Sequence, residues 1–266
     1  MKIEEISDKT RIENFLRKDT LFHLYCIGDL DDFFWQNTKY FAYTLKGEIK
    51  AILMYYNDNQ FPALLALNRG VLEISPDIIK SLTCLMPERF YAHITDDFRR
   101  IMNEFYEFRS HGIHYKMGLT DYSVLRKTDT SGVISLTKKD EEDIQTLYEI
   151  SYPGNWFNSR MLETGQYYGI RKNGYLISIA GIHVYSETYR VAALGNITTH
   201  PEYRNKGLAG MVTAHLCKCL LDKVDHIGLN VHKNNLSAIR CYENLGFETI
   251  GTYEECTLTL KKQNRK

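Results

Sequence analysis

The sequence predicts an α+β fold of two successive units, each a mostly antiparallel mixed sheet flanked by helices. Three observations lead there. Apolar segments of strand period, separated by short turns, occur as two meanders, one in each half of the chain. Each meander is preceded by residues at helical spacing and followed by a helix and then a strand. Between the halves, "KTDTSG" (Lys127 to Gly132) is polar, turn-rich and without apolar residues, which sets units of 1–126 and 132–266.

In the first half, "KTRIENFLRKDTLFHLYCIGDL" carries Ile12, Phe15, Leu16, Leu21, Leu24 and Tyr25 at helical spacing and predicts two short helices. The strands "KYFAYTL" and "IKAILMYY", joined by the turn Lys46-Gly47-Glu48, and then "FPALLALN" make the meander. "SPDIIKSLTCLM" starts a helix with Ser75 as N-cap and Pro76 in the first turn. "RFYAHI" is a strand and "DDFRRIMNEFY" a helix, and "FRSHGIHYKMGLT" with "SVLRK" reads as a closing hairpin.

The second half follows the same order. "VISLT" is a strand, "KKDEEDIQTLYEIS" and "NSRMLET" are helices, and "YYGIRK", "YLISIAGIHVYS" and "YRVAALGNITT" form the second meander, with turns at Asn173-Gly174 and near Ser186-Glu187. "KGLAGMVTAHLCKCLLDK" is an amphipathic helix and "HIGLNVH" an alternating strand. "NLSAIRCYENLGF" is a helix capped by Asn235 and stopped by Gly246, and "CTLTL" is the last strand.

Composition removes several function classes. Thirty-three basic residues balance thirty-three acidic ones, so the broad positive field of a nucleic-acid or anionic-membrane binder is missing. The opening "MKIEEISDKTRIENF" is charged where a secretory signal is apolar, and no apolar run reaches the length of a membrane span, so a cytoplasmic protein is expected. The six cysteines show no CxxC pair or framework spacing; they are expected as free thiols, with no metal site.

The chemistry concentrates in "TTHPEYRNKGLAG", Thr198 to Gly210. A strand runs through a basic, glycine-containing turn directly into a helix. The first amides of that helix have no intrahelical partner, its dipole favours negative charge, and Arg204 and Lys206 add positive charge. Gly207 lets a ligand approach the backbone. A diphosphate suits such a site, although neither the GxxxxGK[ST] nor the GxGxxG pattern is present.

Two motifs together resemble the GNAT acyltransferase superfamily. Its [RQ]xxGx[GA] motif is matched by Arg204-Asn205-Lys206-Gly207-Leu208-Ala209, and its NxxA, Y and GF signature by Asn235, Ala238, Tyr242 and Gly246-Phe247. The resemblance spans about residues 132 to 260. It implies acetyl-CoA or another acyl-CoA as cosubstrate and transfer of the acyl group, usually to an amine. It further implies that Ile197, Thr198 and Thr199 pair with the pantetheine arm and that Arg204 to Ala209 hold the pyrophosphate. Asn235 would touch the cofactor beyond the thioester, and Tyr242 would protonate the leaving thiolate.

The strand position that often carries a glutamate in that family is Gly195 here, so the base must lie elsewhere. His183 is the first substitute, with Glu163 and Glu187 behind it. Trp156 and Phe157 either wall an acceptor pocket or pack helices onto the sheet. The first half lacks the RxxGxG motif, and Glu73 and Asp77 follow Arg69-Gly70, so it is expected to be a degenerate GNAT-like unit that does not bind CoA and supports the second half. The expected partner is a small-molecule amine, with neither nucleic acid nor membrane, and the chain a monomer or homodimer. A non-catalytic CoA-binding regulatory module is the competing reading, because Gly195 leaves the base position empty.

Overall fold

The computed structural model describes residues 2–57, 62–70, 72 and 75–262. Of the residues named above, Met1, Phe61 and Glu73 lie outside these, and the side chains of Pro76 and Asp77 are not described. The chain divides into two compact units, Met1–Tyr115 with Gly251–Lys266, and Lys116–Ile250. The polar stretch 127–132, expected as the boundary, therefore lies inside the second unit. The reason is the course of two long strands, Tyr106–Leu119 and Phe247–Leu260, within which the chain passes from one unit to the other.

The first unit contains strands β1 (Lys2–Ile6), β2 (Thr38–Leu45), β3 (Glu48–Tyr56), β4 (Ala63–Ala66), β5 (Arg89–Ile94), most of β6 (Tyr106–Leu119), and the end of β12 (Phe247–Leu260). Its order β1-β2-β3-β4-β5-β12 is antiparallel except for the parallel pair β4·β5. Helices α1 (Lys9–Leu16), α2 (Leu24–Gly28), α3 (Asp32–Trp35), α4 (Pro76–Thr83) and α5 (Asp96–Met102) complete it. Ser75 and Pro76 open α4 as the sequence implies, although the Ser75 side chain makes no capping bond. One apolar cluster joins Ile79 and Leu82 of α4 and Phe98 and Met102 of α5 to Phe41, Leu53, Leu64 and Leu258 of the strands.

The expected hairpin "FRSHGIHYKMGLT" with "SVLRK" is absent. The former lies in the continuous strand β6, in which Gly112 bends the backbone at φ +104°, and the latter is helix α6 (Ser123–Lys127). A glycine in the left-handed region can mark a local irregularity within a strand as well as a turn.

Along β5, β6 and β12 the first unit also holds a polar cluster. The Glu255 carboxylate accepts from Tyr253 Oη at 2.7 Å and from Tyr91 Oη, and it faces His93 Nε2 at 3.4 Å and His114 Nε2 at 3.5 Å. Burial pushes this carboxyl up, but the two histidines and the two phenols outweigh it and hold it below the usual carboxylate range.

The second unit runs in the order β6-β11-β10-β9-β8-β7, with β7 (Val133–Ser135), β8 (Tyr168–Lys172), β9 (Tyr175–Ser186), β10 (Val191–Thr199) and β11 (His226–His232). The pairs β7·β8, β8·β9 and β9·β10 are antiparallel and β10·β11 is parallel, giving the mostly antiparallel mixed sheet expected. Helices α7 (Glu141–Ser151), α8 (Leu208–Leu220) and α9 (Leu236–Glu243) flank it, with a 3-10 segment at Ser159–Thr164. Gly246 ends α9 at φ +92°, where any Cβ would lie 2.0 Å from the Asp121 carbonyl oxygen; only glycine fits.

Candidate acyl-CoA site

Strand β10 explains the site. It pairs with β11 only from Val191↔His226 to Leu194↔Leu229, yet continues to Thr199 while β11 continues to His232. The two parallel strands thus lose each other halfway along. A bulge causes this: the register with β9 slips between Gly195 and Thr198, and Asn196 takes φ +54°. Asparagine tolerates the left-handed region better than other non-glycine residues. Of Ile197, Thr198 and Thr199, the residues expected to meet the pantetheine arm, Ile197 lies within the bulge and the two threonines follow it.

The chain then turns through Pro201–Tyr203 into α8, a 13-residue helix. Asn205 at φ +59° and Gly207 at φ +76° curl the backbone, and Gly207 is an N-cap without any side-chain capping bond. The first intrahelical bond is Met211 N–H to the Gly207 carbonyl at 3.0 Å, so the amides of Leu208, Ala209 and Gly210 precede it. Residues 204–207 are exposed. Uncapped amides, left-handed turns and a helix dipole are features that favour a nearby anion.

The side chains of the motif are arranged differently from a ring of free cations. Arg204 donates from Nε to the Thr199 carbonyl and from Nη2 to the Ser151 carbonyl, both at 3.2 Å, which ties the end of β10 to the end of α7. Lys206 Nζ donates to the Glu202 carbonyl at 3.2 Å and lies 5.0 Å above the Tyr203 ring. Ser151, which the sequence did not single out, also meets Thr198 Oγ1 through its own Oγ at 3.1 Å.

Asn235 caps α9, its Oδ1 accepting from Ala238 N–H at 3.3 Å and from Ser237 Oγ at 3.1 Å. Two turns on, Tyr242 is buried, its ring 6.0 Å from that of Phe247. Its hydroxyl has no hydrogen-bond partner among the described residues, and burial first, then the neighbouring Cys241, Tyr152 and Cys217, pushes the phenol above its usual range. Tyr242 therefore stays protonated at neutral pH.

His183 and Gly195 are complementary. A Cβ built on Gly195 would lie 2.0 Å from His183 Cδ2 and 2.3 Å from Nε2. The imidazole therefore occupies the space into which a side chain at 195 would project. The other two base candidates are drawn elsewhere. Glu163 is an exposed carboxylate in an ion pair with Lys138 at 2.8 Å, and Glu187 accepts from Tyr185 Oη beside the β9–β10 turn.

Phe157 sits between Tyr148 and Tyr167, at ring distances of 5.3 Å and 5.7 Å, whereas Trp156 is 41% exposed. Behind them is a buried polar chain that the sequence reading missed. Tyr148 Oη donates to the Asn196 carbonyl at 2.8 Å, Asn196 Nδ2 donates to Tyr167 Oη at 3.0 Å, and Tyr167 Oη donates to the Ile182 carbonyl at 2.9 Å. Its one sequence signal was the Gly-Asn pair inside a strand.

In the first unit the equivalent parallel pair stays closed. All of β4 pairs with β5, from Ala63↔Tyr91 to Ala66↔Ile94, and Asn68 N–H continues the link to Thr95 Oγ1 at 3.1 Å. Arg69 is engaged by Asp19 at 2.7 Å. Among the described residues, no group of three or more His, Cys, Asp and Glu side chains is arranged to hold a metal, and no helix is long and apolar enough to cross a membrane.

Residues 132–247 match the acetyltransferase (GNAT) family model. Among solved structures, a Novosphingobium aromaticivorans protein described as a GNAT-family acetyltransferase is 21% identical with a TM-score of 0.58, over 79% of this chain and 89% of its own. A Drosophila protein is 10% identical with a TM-score of 0.70, over 97% and 98%. A tandem GNAT protein from the clavulanic acid biosynthesis pathway is 13% identical with a TM-score of 0.55, over 96% and 98%. No curated protein matches the chain. These structural likenesses are likenesses of fold. Residues 132–247 thus carry a GNAT domain, and the fold of the first half is GNAT-like. In general terms, the GNAT acetyltransferase fold supports acyl-CoA-dependent acyl transfer.

Proposed function

We propose that this protein is an acyl-CoA-dependent N-acyltransferase, acetyl-CoA being the default donor, which acylates the primary amine of a small molecule. The observation that carries the reading is the parting of β10 from β11 beyond Leu194 and Leu229, followed by the uncapped start of α8. The uncapped amides of Leu208 and Ala209 suit a pyrophosphate, and the main chain of Ile197 to Thr199 suits an amide-bearing arm. Asn235 lies at the start of the next helix, and its side chain is used in the cap. Acyl-CoA would supply an activated thioester carbonyl.

The protein's own part is proton management. The neutral amine nitrogen attacks the carbonyl carbon, a C–N bond forms, the C–S bond breaks and its electron pair goes to sulfur. His183 takes the proton that the amine loses, and Tyr242 gives its phenolic proton to the sulfur. The high pKa of Tyr242 does not disqualify it, because the same desolvation raises the affinity of a buried thiolate for a proton. Phe157, with Tyr148 and Tyr167 beside it, favours an apolar wall near the acceptor, and exposed Trp156 belongs to its rim.

The first half is read as non-catalytic, because its closed β4·β5 pair offers no gap for the pantetheine arm. The lack of a carboxylate at Gly195 keeps a second reading, a CoA-binding module without turnover. Titration with acetyl-CoA tests binding, and thiol release across a panel of primary amines separates the two readings. Binding with turnover supports the enzyme, binding with no turnover supports the module, and no binding refutes both.

A further inference from the structure

We propose that Tyr167 is a positioning residue for His183, acting through hydrogen bonds to the two bulged strands that bring the imidazole over Gly195. The proposal rests on the reading of His183 as proton acceptor and deepens it.

A regular strand alternates its side chains between faces, so a histidine is re-aimed only by an added residue in the register. His183 is such a residue: the pairing passes from Ala193↔Val184 directly to Leu194↔Ile182 and skips it. A second irregularity, at Asn196, lies on the facing strand. Both are gripped by one atom. Tyr167 Oη donates to the carbonyl of Ile182, the peptide unit that leads into His183, and accepts from Asn196 Nδ2.

The grip is rigid. Tyr167 is fully buried and its ring packs directly against Gly181, where a Cβ would come within 2.1 Å of Cε1. Tyr148 Oη holds the Asn196 carbonyl from α7, and Asn196 is 2% exposed. Its Oδ1 is buried without a hydrogen-bond partner among the described residues, so the amide keeps an unsatisfied acceptor while its donor engages Tyr167. Burial pushes the phenols of both Tyr148 and Tyr167 up, which keeps both as donors across the working pH range. Tyr167 touches no reacting atom in this scheme; its effect passes through the Ile182 carbonyl.

The test compares Tyr167→Phe, which keeps the ring, with Asn196→Gly, which keeps the left-handed backbone and removes the amide. His183→Asn and Ile79→Val, a core variant of the first unit, complete the set. The imidazole of His183 is followed by 15N–1H correlation spectra of histidine-labelled protein with acetyl-CoA, its signal being the one lost in His183→Asn. Thiol release is measured against pH with whichever of phenethylamine, tryptamine, ethanolamine and putrescine turns over fastest. Tyr167→Phe and Asn196→Gly are expected to move the His183 titration and to lower kcat roughly 10- to 100-fold. Affinity for acetyl-CoA stays within about twofold, and Ile79→Val changes neither the titration nor the rate. If both variants leave the His183 titration and the pH profile as in the wild type, Tyr167 is packing alone and the proposal is overturned. A wild-type rate in His183→Asn overturns the base assignment instead, and the spectra still decide separately whether Tyr167 sets the imidazole.

Discussion

Replacing Gly195 with alanine adds one methyl group where the His183 imidazole lies. The new Cβ would stand 2.0 Å from Cδ2, while ordinary contact begins at 3.4 Å, so the ring must retreat by about 1.4 Å. His183 is only half-buried and can swing outward, which limits the cost to the range of about 1–3 kcal/mol typical of overpacking. Catalysis is less forgiving, because a misplacement of about 1 Å in a reacting group lowers rates on the order of 100-fold. Thiol release from acetyl-CoA with a primary amine should therefore fall by one to two orders of magnitude in Gly195→Ala, with acetyl-CoA affinity unchanged. The double variant His183→Ala with Gly195→Glu, which moves a base into the position the superfamily often uses, should exceed His183→Ala alone. Full activity in Gly195→Ala would refute the pairing of this glycine with this histidine.

Three other variants test separate parts of the account. Tyr242→Phe should lower kcat at least tenfold and leave acetyl-CoA binding unaltered in calorimetry; an unchanged rate and pH profile would make Tyr242 a core residue. Asp29 is buried and its carboxyl is pushed up to about 8, so the folded state binds a proton that the unfolded state releases near pH 4, and stability falls as pH rises between the two. Asp29→Asn should then gain on the wild type by up to about 1.4 kcal/mol per pH unit over that window in urea titrations, and a constant difference would contradict it. Glu255 has the opposite sign. Its lowered pKa stabilises the fold above the unfolded carboxyl value near 4.5, and that contribution is lost as pH falls through the folded value. Glu255→Gln should cost about 3 kcal/mol at pH 7 and progressively less as pH falls below the unfolded carboxyl value; a loss independent of pH would assign the effect to shape alone.

Much of the fold was legible because local signals agreed with one another. The alternations in "YLISIAGIHVYS" and "HIGLNVH" coincide with β9 and β11, and Asn235 and Gly246 cap and stop α9 where their chemistry requires. Failures came where backbone geometry departed from what a residue type announces. Gly112 looked like a turn and lies inside a 14-residue strand, and β12 begins at Phe247, well before the apolar "CTLTL". Strand β1 and helix α3 are short and carried no clear period. In the site, the uncapped start of α8 could be read from its glycine and the amphipathic run that follows. The bulge at Asn196, the grip of Tyr167 and the fit of His183 over Gly195 could not, because each depends on strand register and long-range contact.

The central claim, that the start of α8 receives the pyrophosphate of an acyl-CoA, is tested most directly by calorimetric titration of acetyl-CoA into Ala209→Asp. An acidic side chain in the first turn suits the helix dipole, so the fold should keep its Tm. The same charge beside the amides of Leu208 to Gly210 opposes a diphosphate, and affinity should drop at least 100-fold from the wild type. Unchanged affinity at an unchanged Tm would contradict the claim.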